Sequence, residues 1–349
     1  MYKIDKVSVV VLCSITRRRT AVLPNATLSE IAKKLGLSRS TVSKTFHHCS
    51  GVDFETRQLV LDAIRDANLK FTDFKPIHAV LPDTPAYFWK TMRQGLLAAS
   101  KESGTPFGFS IYTNPVNFQT VLEYLREAEE AEIRVLILSA YMTPEIYGIL
   151  QRMVRRCCVI LLTEQYDLNS SFYVGSDAYR DGREMGKLYL AEYSDYALYI
   201  IDYPWYLLNN ELRLKGFLDA VREAKPELAE QAVLLKTGND IDNSTKAYAA
   251  YLARTLSEAV RKDTPCCFYA PTGMSQLPDA IRKSGLDAVC IGHDSAFSNN
   301  QLTEYNASCN QDTFRQGYTA GEAAVRFLKS GQVPPQKNLY IPSIIKGSQ

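Results

Sequence analysis

Between residues 38 and 44 the chain places Ser38, Arg39, Ser40, Thr41, Ser43 and Lys44, short hydroxyls and long cations on one stretch of predicted helix. Such a set suits nucleic acid. Guanidinium and hydroxyl groups pair with base edges in the major groove, and hydroxyls and ammonium groups hold phosphates. The surrounding segment, TLSEIAKKLGLSRSTVSK from Thr27 to Lys44, is built to position them. Thr27 and Glu30 have capping-box spacing, so each side chain can satisfy the other's backbone N–H. Leu28, Ile31, Ala32 and Leu35 recur at helical period and give the first helix one apolar face. Gly36 stops that helix where a left-handed residue is needed. Leu37 plugs the turn and Ser38 caps a second helix, whose Val42 and Phe46 point inward. Thr27 joins Ser38, Arg39, Ser40, Thr41, Ser43 and Lys44 in the set expected to face DNA.

Charge is distributed to match. The 349-residue chain has a net charge of +2, but residues 1–75 hold 13 Lys/Arg against 7 Asp/Glu and the remaining 274 residues hold 27 against 31. A basic head on a mildly acidic body fits a nucleic-acid contact confined to the head. With 46% hydrophobic and 22% charged residues the composition is that of an ordinary globular protein long enough for two or three domains.

Other chemistries find little support. Of 8 cysteines, Cys157-Cys158 and Cys266-Cys267 are adjacent pairs in apolar runs, and no C-x-x-C occurs. They read as reduced core residues of a cytosolic protein. His47-His48 has no partner at ligand spacing, so no metal is expected, and no cofactor. There is no G-x-S-x-G, H-E-x-x-H or G-x-x-x-x-G-K-[ST], which argues against an enzyme. The apolar run Val7 to Ile15 is too short to span a bilayer and is followed by Arg17-Arg18-Arg19 rather than a small-residue cleavage site. Residues 1–25 are therefore expected to be an extension, disordered or strand-like, and the protein cytoplasmic with no membrane contact.

The helical signal continues from Asp53, a cap, through Leu59, Val60, Ala63, Ile64 and Ala67. The helix-turn-helix domain is placed at 26–69 and a short linker at 70–76, ended by Pro76. From Ile77 to the C-terminus, strand-length apolar runs alternate with amphipathic helices, the pattern of parallel sheets flanked by helices. Ten strands are expected: 78–81, 107–112, 135–139, 159–163, 173–175, 198–201, 232–236, 267–270, 288–291 and 307–309. Two α/β lobes accommodate them better than one sheet, and a cleft between lobes is a natural small-molecule site.

From Thr27 onward the chain resembles the lactose-repressor (LacI) family of bacterial transcription regulators. The segment Thr27 to Lys44 is similar to the family's DNA-binding motif, and GVDFETRQLVLDAI (Gly51 to Ile64) to its third helix. Pro82-Asp83, Phe88-Trp89, Gly175-Ser176-Asp177 with Gly182 and Gly186, Arg213-x-x-Gly216-Phe217, Gly292-His293-Asp294, Asn310-Gln311-Asp312, Pro334-Pro335 and Ile341-Pro342 follow in the family's order. The resemblance implies an all-α helix-turn-helix head on a two-lobed, periplasmic-binding-protein-like α/β core. It implies a homodimer on double-stranded operator DNA, most often a repressor, controlled by a sugar-like effector. Arg39, Ser40 and Lys44 would read bases, while Ser38, Thr41 and Ser43 would hold phosphates. Arg213 and Asp294 would line the effector cleft with Phe88 and Trp89 as stacking faces, and Tyr203, Trp205 and Gln311 as further lining. Alternatives are a degenerate regulator with weak DNA binding and a solute-binding protein.

Three departures from the family pattern stand out. The segment 70–76 is much shorter than the hinge that wedges into the minor groove. Pro271-Thr272 replaces the usual Asn-Asp, and Thr163 stands where an acidic residue usually ends the Val159 strand, so the cleft is expected to lack two polar groups. The extension before Ala26 has no counterpart.

Overall fold

The computed structural model describes residues 27–46, 52–67, 74–83, 86–112, 118–202, 208–237, 246–260, 264–273, 276–294 and 305–347. The extension 1–25, residues 70–73 of the expected linker, Tyr203 and Trp205 lie outside them. The chain divides into two compact units, Met1–Phe71 and Thr72–Gln349.

The first unit has three described helices: α1 (Leu28–Leu35), α2 (Arg39–Phe46) and α3 (Phe54–Asp66). Local chemistry sets each start. The Thr27 N–H donates to Glu30 Oε2 at 2.6 Å and the Glu30 N–H to Thr27 Oγ1 at 3.3 Å, a reciprocal cap. Ser38 Oγ accepts from the Thr41 N–H at 3.0 Å, and Asp53 Oδ1 from the Thr56 N–H at 2.9 Å. Gly36, with φ of +67°, ends α1 and lets the Leu37 N–H return to the Ala32 carbonyl at 3.0 Å. Ile31, Ala32, Val42, Phe46, Val60, Ala63, Ile64 and Ala67 close one core.

The second unit holds two six-stranded sheets. The first lobe comprises β1 (Ile77–Pro82), α4 (Ala86–Ser103), β2 (Phe107–Tyr112), α5 (Phe118–Glu130), β3 (Val135–Leu138), α6 (Pro144–Met153), β4 (Cys158–Leu162) and β5 (Ser171–Gly175). The second comprises α7 (Ala178–Glu192), β6 (Ala197–Asp202), α8 (Leu208–Ala224), α9 (Pro226–Gln231), β7 (Val233–Lys236), α10 (Lys246–Ala259), β8 (Cys266–Ala270), α11 (Leu277–Ser284), β9 (Ala288–His293) and β10 (Ala307–Asn310). The chain then returns to the first lobe with α12 (Thr313–Ser330) and β11 (Asn338–Tyr340), and finishes in the second with β12 (Ile344–Gly347). It thus crosses between lobes at Ser176–Asp177, at Gln311–Asp312 and at Ile341–Ser343.

The sheet orders are β11-β5-β4-β3-β1-β2 and β12-β10-β9-β8-β6-β7, parallel throughout except for antiparallel β12. β1, β3, β4 and β8 are buried at every residue, as strands covered by helices on both faces must be. Strand order reverses between β1 and β3 and between β6 and β8. Such switch points open a crevice beyond the carboxyl ends of the strands.

α7 packs on α8 at glycine contacts. A methyl on Gly182 would meet the Arg213 carbonyl, and one on Gly216 the Tyr179 carbonyl. Gly182→Ala is therefore expected to cost about 1–3 kcal/mol by overpacking. Gly148→Ala in α6, where an added methyl meets nothing within 4 Å, should be neutral or gain up to about 1 kcal/mol. Urea unfolding of both variants checks the pair.

Candidate functional site

On the first unit, Arg39, Ser40 and Lys44 are exposed, as are Thr27 and Ser38, whereas Thr41 and Ser43 are half-buried. The hydroxyls of Ser38 and Thr41 lie 2.8 Å apart, so they partly satisfy one another as well as the helix end. The cations project without a hydrogen-bonded partner of their own among the described contacts. This face presents cations and hydroxyls to solvent.

On the second unit the crevice is dominated by one buried ion pair. Arg213, on α8, is 3% exposed, and its Nη2 lies 3.1 Å from Asp294 Oδ2. Its Nη1 donates to the Pro271 carbonyl at 3.1 Å, so the residue found where the family pattern has Asn still serves as an acceptor. Asp294 directly follows β9 and has a left-handed φ of +47°. Its Oδ1 accepts the Gln311 N–H at 3.1 Å and its Oδ2 the Gln311 side-chain amide at 2.7 Å. Gln311 Oε1 in turn accepts from Gln316 at 3.0 Å. The Tyr87 hydroxyl, from α4 of the first lobe, donates to the Asp294 carbonyl at 2.9 Å. Arg213, Asp294 and Gln311 are thus brought together, at the second crossing. Arg213 keeps one unused donor, Nε.

A second tie joins the lobes at Thr163. Its carbonyl, displayed by a left-handed φ of +68°, accepts from the Asn209 side chain and from the Tyr173 hydroxyl. Asn209 Oδ1 and Asn210 Nδ2 are buried without partners, and so is Glu164 Oε2. Glu164 corrects the expectation of a cleft short of acid: the carboxylate sits one residue beyond Thr163. Burial raises its pKa to about 7, only partly offset by the nearby Arg213 charge and a hydrogen bond from the Asn209 backbone. Unpartnered donors and acceptors of this kind suit a small polyhydroxylated molecule or water.

The aromatic expectations fare differently. Trp89 is 6% exposed and packs in the first lobe's core with Ile77, Met92 and Leu96, so it offers no stacking face. Phe88 is half-buried and meets Trp89 edge-on at 5.1 Å. Helical period explains the correction, since Trp89, Met92 and Leu96 share the inward stripe of α4. A cavity of about 440 Å³ also opens between the lobes, lined among others by Tyr166, Tyr179, Leu212, Lys337 and Tyr340. Among the described residues expected to line the cleft, Phe88, Trp89, Arg213, Asp294 and Gln311 do not contribute to it.

Tyr87, Asn209 and Glu164 were not singled out from sequence. Glu164 alone carried a signal, an acid at the end of an apolar strand, and a shift of one residue hid it. No helix among the described residues is long and apolar enough to cross a membrane.

No family model matches the chain, and no curated protein matches it. Solved structures do. GanP, a glucose-galactose binding protein from Geobacillus stearothermophilus, is 19% identical with a TM-score of 0.65, covering 78% of this chain and 97% of its own. A Caulobacter myo-inositol binding protein bound to myo-inositol is 20% identical with a TM-score of 0.66, over 78% of this chain and 94% of its own. A LacI transcriptional regulator from Lactobacillus brevis is 15% identical with a TM-score of 0.61, over 77% and 99%. The two-lobed core accordingly has the periplasmic-binding-protein-like fold.

Glu164 yields a pH prediction. Its folded pKa of about 7 lies above the ordinary 4.5, so the folded state binds the extra proton and stability falls as pH rises between those values. Glu164→Gln should flatten that part of the stability–pH curve, read by thermal unfolding from pH 4 to 8. Arg213→Ala, which strands the Asp294 carboxylate, should cost about 3–5 kcal/mol in urea unfolding.

Proposed function

We propose that the chain is a cytoplasmic, effector-responsive transcription regulator whose core binds a sugar-like molecule and whose helix-turn-helix head reads DNA as a homodimer. One observation carries the reading. A capped three-helix unit with Arg39, Ser40 and Lys44 exposed along α2 precedes, in the same chain, a core with the fold of sugar-binding proteins.

The head supplies what base reading needs. Arg39 and Ser40 stand at the start of α2, where a helix entering the major groove first meets base edges. Lys44, one turn on, adds a phosphate contact or a further base contact. In the core, a hydroxyl-rich ligand would meet unused groups, Glu164 Oε2, Asn209 Oδ1 and Arg213 Nε, on both sides of the lobe junction. A ligand that binds one lobe arrangement better than the other shifts the population of DNA-competent dimers. No chemical step is assigned to the protein.

A solute-binding protein is the second reading, favoured by the sugar-binding neighbours of the core. Footprinting on the DNA upstream of the protein's own gene, with and without myo-inositol, glucose or galactose, separates the two. The regulator reading expects protection that one sugar alters. Arg39→Ala should weaken binding roughly ten- to a hundred-fold, and Lys44→Ala should lower the salt slope by about 1. Sugar binding by calorimetry with no protection under any condition would establish the solute-binding reading instead.

A further inference from the structure

Three side chains far apart in sequence converge in the second lobe. Asp181 lies in the first turn of α7, His293 is the last residue of β9, and Cys309 lies in β10. One possible ligand atom from each lies within 4.8 Å of the others, and all three residues are buried. Their remaining contacts are arranged as a metal site requires. Asp181 Oδ2 accepts the Ser343 hydroxyl at 2.7 Å, and the Ser176 hydroxyl also lies against the carboxylate, so its orientation is fixed. His293 Nε2 lies 3.0 Å from the Tyr269 hydroxyl oxygen, which is itself 3.4 Å from the Arg213 carbonyl. The tautomer assigned here carries the ring proton on Nε2, donated to Tyr269, whose hydroxyl donates in turn to that carbonyl. Nδ1 is then a bare lone pair, and it is buried with no partner. A ligating histidine is held in this way, its far nitrogen donating to a fixed oxygen.

Charge also balances. Arg213 is the cation that would oppose an incoming metal, but its counter-ion is Asp294, at 3.1 Å. Asp181 forms no ion pair among the described residues. A carboxylate and a thiolate therefore remain to neutralise a divalent ion. A bound ion would give the buried His293 Nδ1 a partner.

We propose that Asp181, His293 and Cys309 bind one divalent ion of the zinc class through a carboxylate oxygen, Nδ1 and the thiolate. One oxygen, one nitrogen and one sulfur donor select such an ion over magnesium or calcium, which take oxygen ligands. Three protein ligands leave a fourth position for water. Burial holds the Cys309 thiol protonated, and binding would expel that proton to solvent as the Cys309–metal bond forms. Burial, with the Arg213 charge, keeps His293 neutral and ready to ligate. Cys309 is two residues before Gln311, Asp181 four after Asp177, and Ser343 ends the third crossing. The ion would therefore brace the second lobe where all three interlobe connections enter it. This site is independent of the DNA and sugar assignments.

The test uses the full chain and the metal alone. Cobalt(II) added to the reduced protein should give a thiolate charge-transfer band in the near ultraviolet. Zinc should displace it, remain at one ion per chain after desalting, and raise the melting temperature. Cys309→Ser should abolish the band and weaken zinc binding at least ten-fold. Cys157→Ser, at a buried cysteine of the first lobe, should leave both unchanged. If the wild-type chain shows no band and retains no zinc, or if Cys309→Ser binds like wild type, the proposal is overturned. The wild-type measurement decides even if a variant does not fold.

Discussion

The second unit is organised around the buried pair Arg213–Asp294. An ion pair out of water gains nothing unless its remaining donors and acceptors are also met. Here Pro271, Gln311 and the pair's own contact meet nearly all of them. The left-handed backbone of Asp294 is held because its carboxylate takes three hydrogen bonds and its carbonyl takes the Tyr87 hydroxyl. Through these contacts α8, the end of β9, the second crossing and α4 of the other lobe converge on one residue, Asp294. Gly182 lets α7 approach the Arg213 backbone, so helix packing and the ion pair support each other.

A lobe junction of hydrogen bonds differs from one of apolar packing. Its groups can exchange one another for water or for a ligand, because a neutral contact is worth about 1 kcal/mol net and a charged one about 1.5–3. Under the proposed function this is the property a sensor needs. The central strands β1, β3, β4 and β8 are apolar and buried on both faces, so rearrangement would fall on the crossings rather than within the lobes. The proposed ion would stiffen one side of those crossings and leave the first lobe's side free.

Secondary structure was legible because its causes are local or periodic. The caps at Thr27, Ser38 and Asp53 and the stop at Gly36 are one-turn interactions. The strands expected at 107–112 and 267–270 are found at Phe107–Tyr112 and Cys266–Ala270, since apolar runs of that length read alike in any context. Short α9 was not expected, nor were β11 and β12 as separate strands. β11 and β12 have exposed or half-buried positions, and their pairing partners, β5 and β10, lie far away in the chain. Trp89 shows the opposite limit: an aromatic beside a presumed cleft belonged to the inward face of its helix.

The sequence by itself determined the capped helices and their exposed cations. It also determined the alternation of strands and helices that builds two lobes. All of these follow from contacts within a few residues or from a repeating apolar period. Tertiary structure alone decided which polar groups meet. The Arg213–Asp294–Gln311 junction, the tie from Asn209 to Thr163 and the cluster of Asp181, His293 and Cys309 join residues from 16 to 128 positions apart. Ligand spacing in the chain gives no sign of such a cluster, because strand order and the three crossings, not sequence distance, bring its members together.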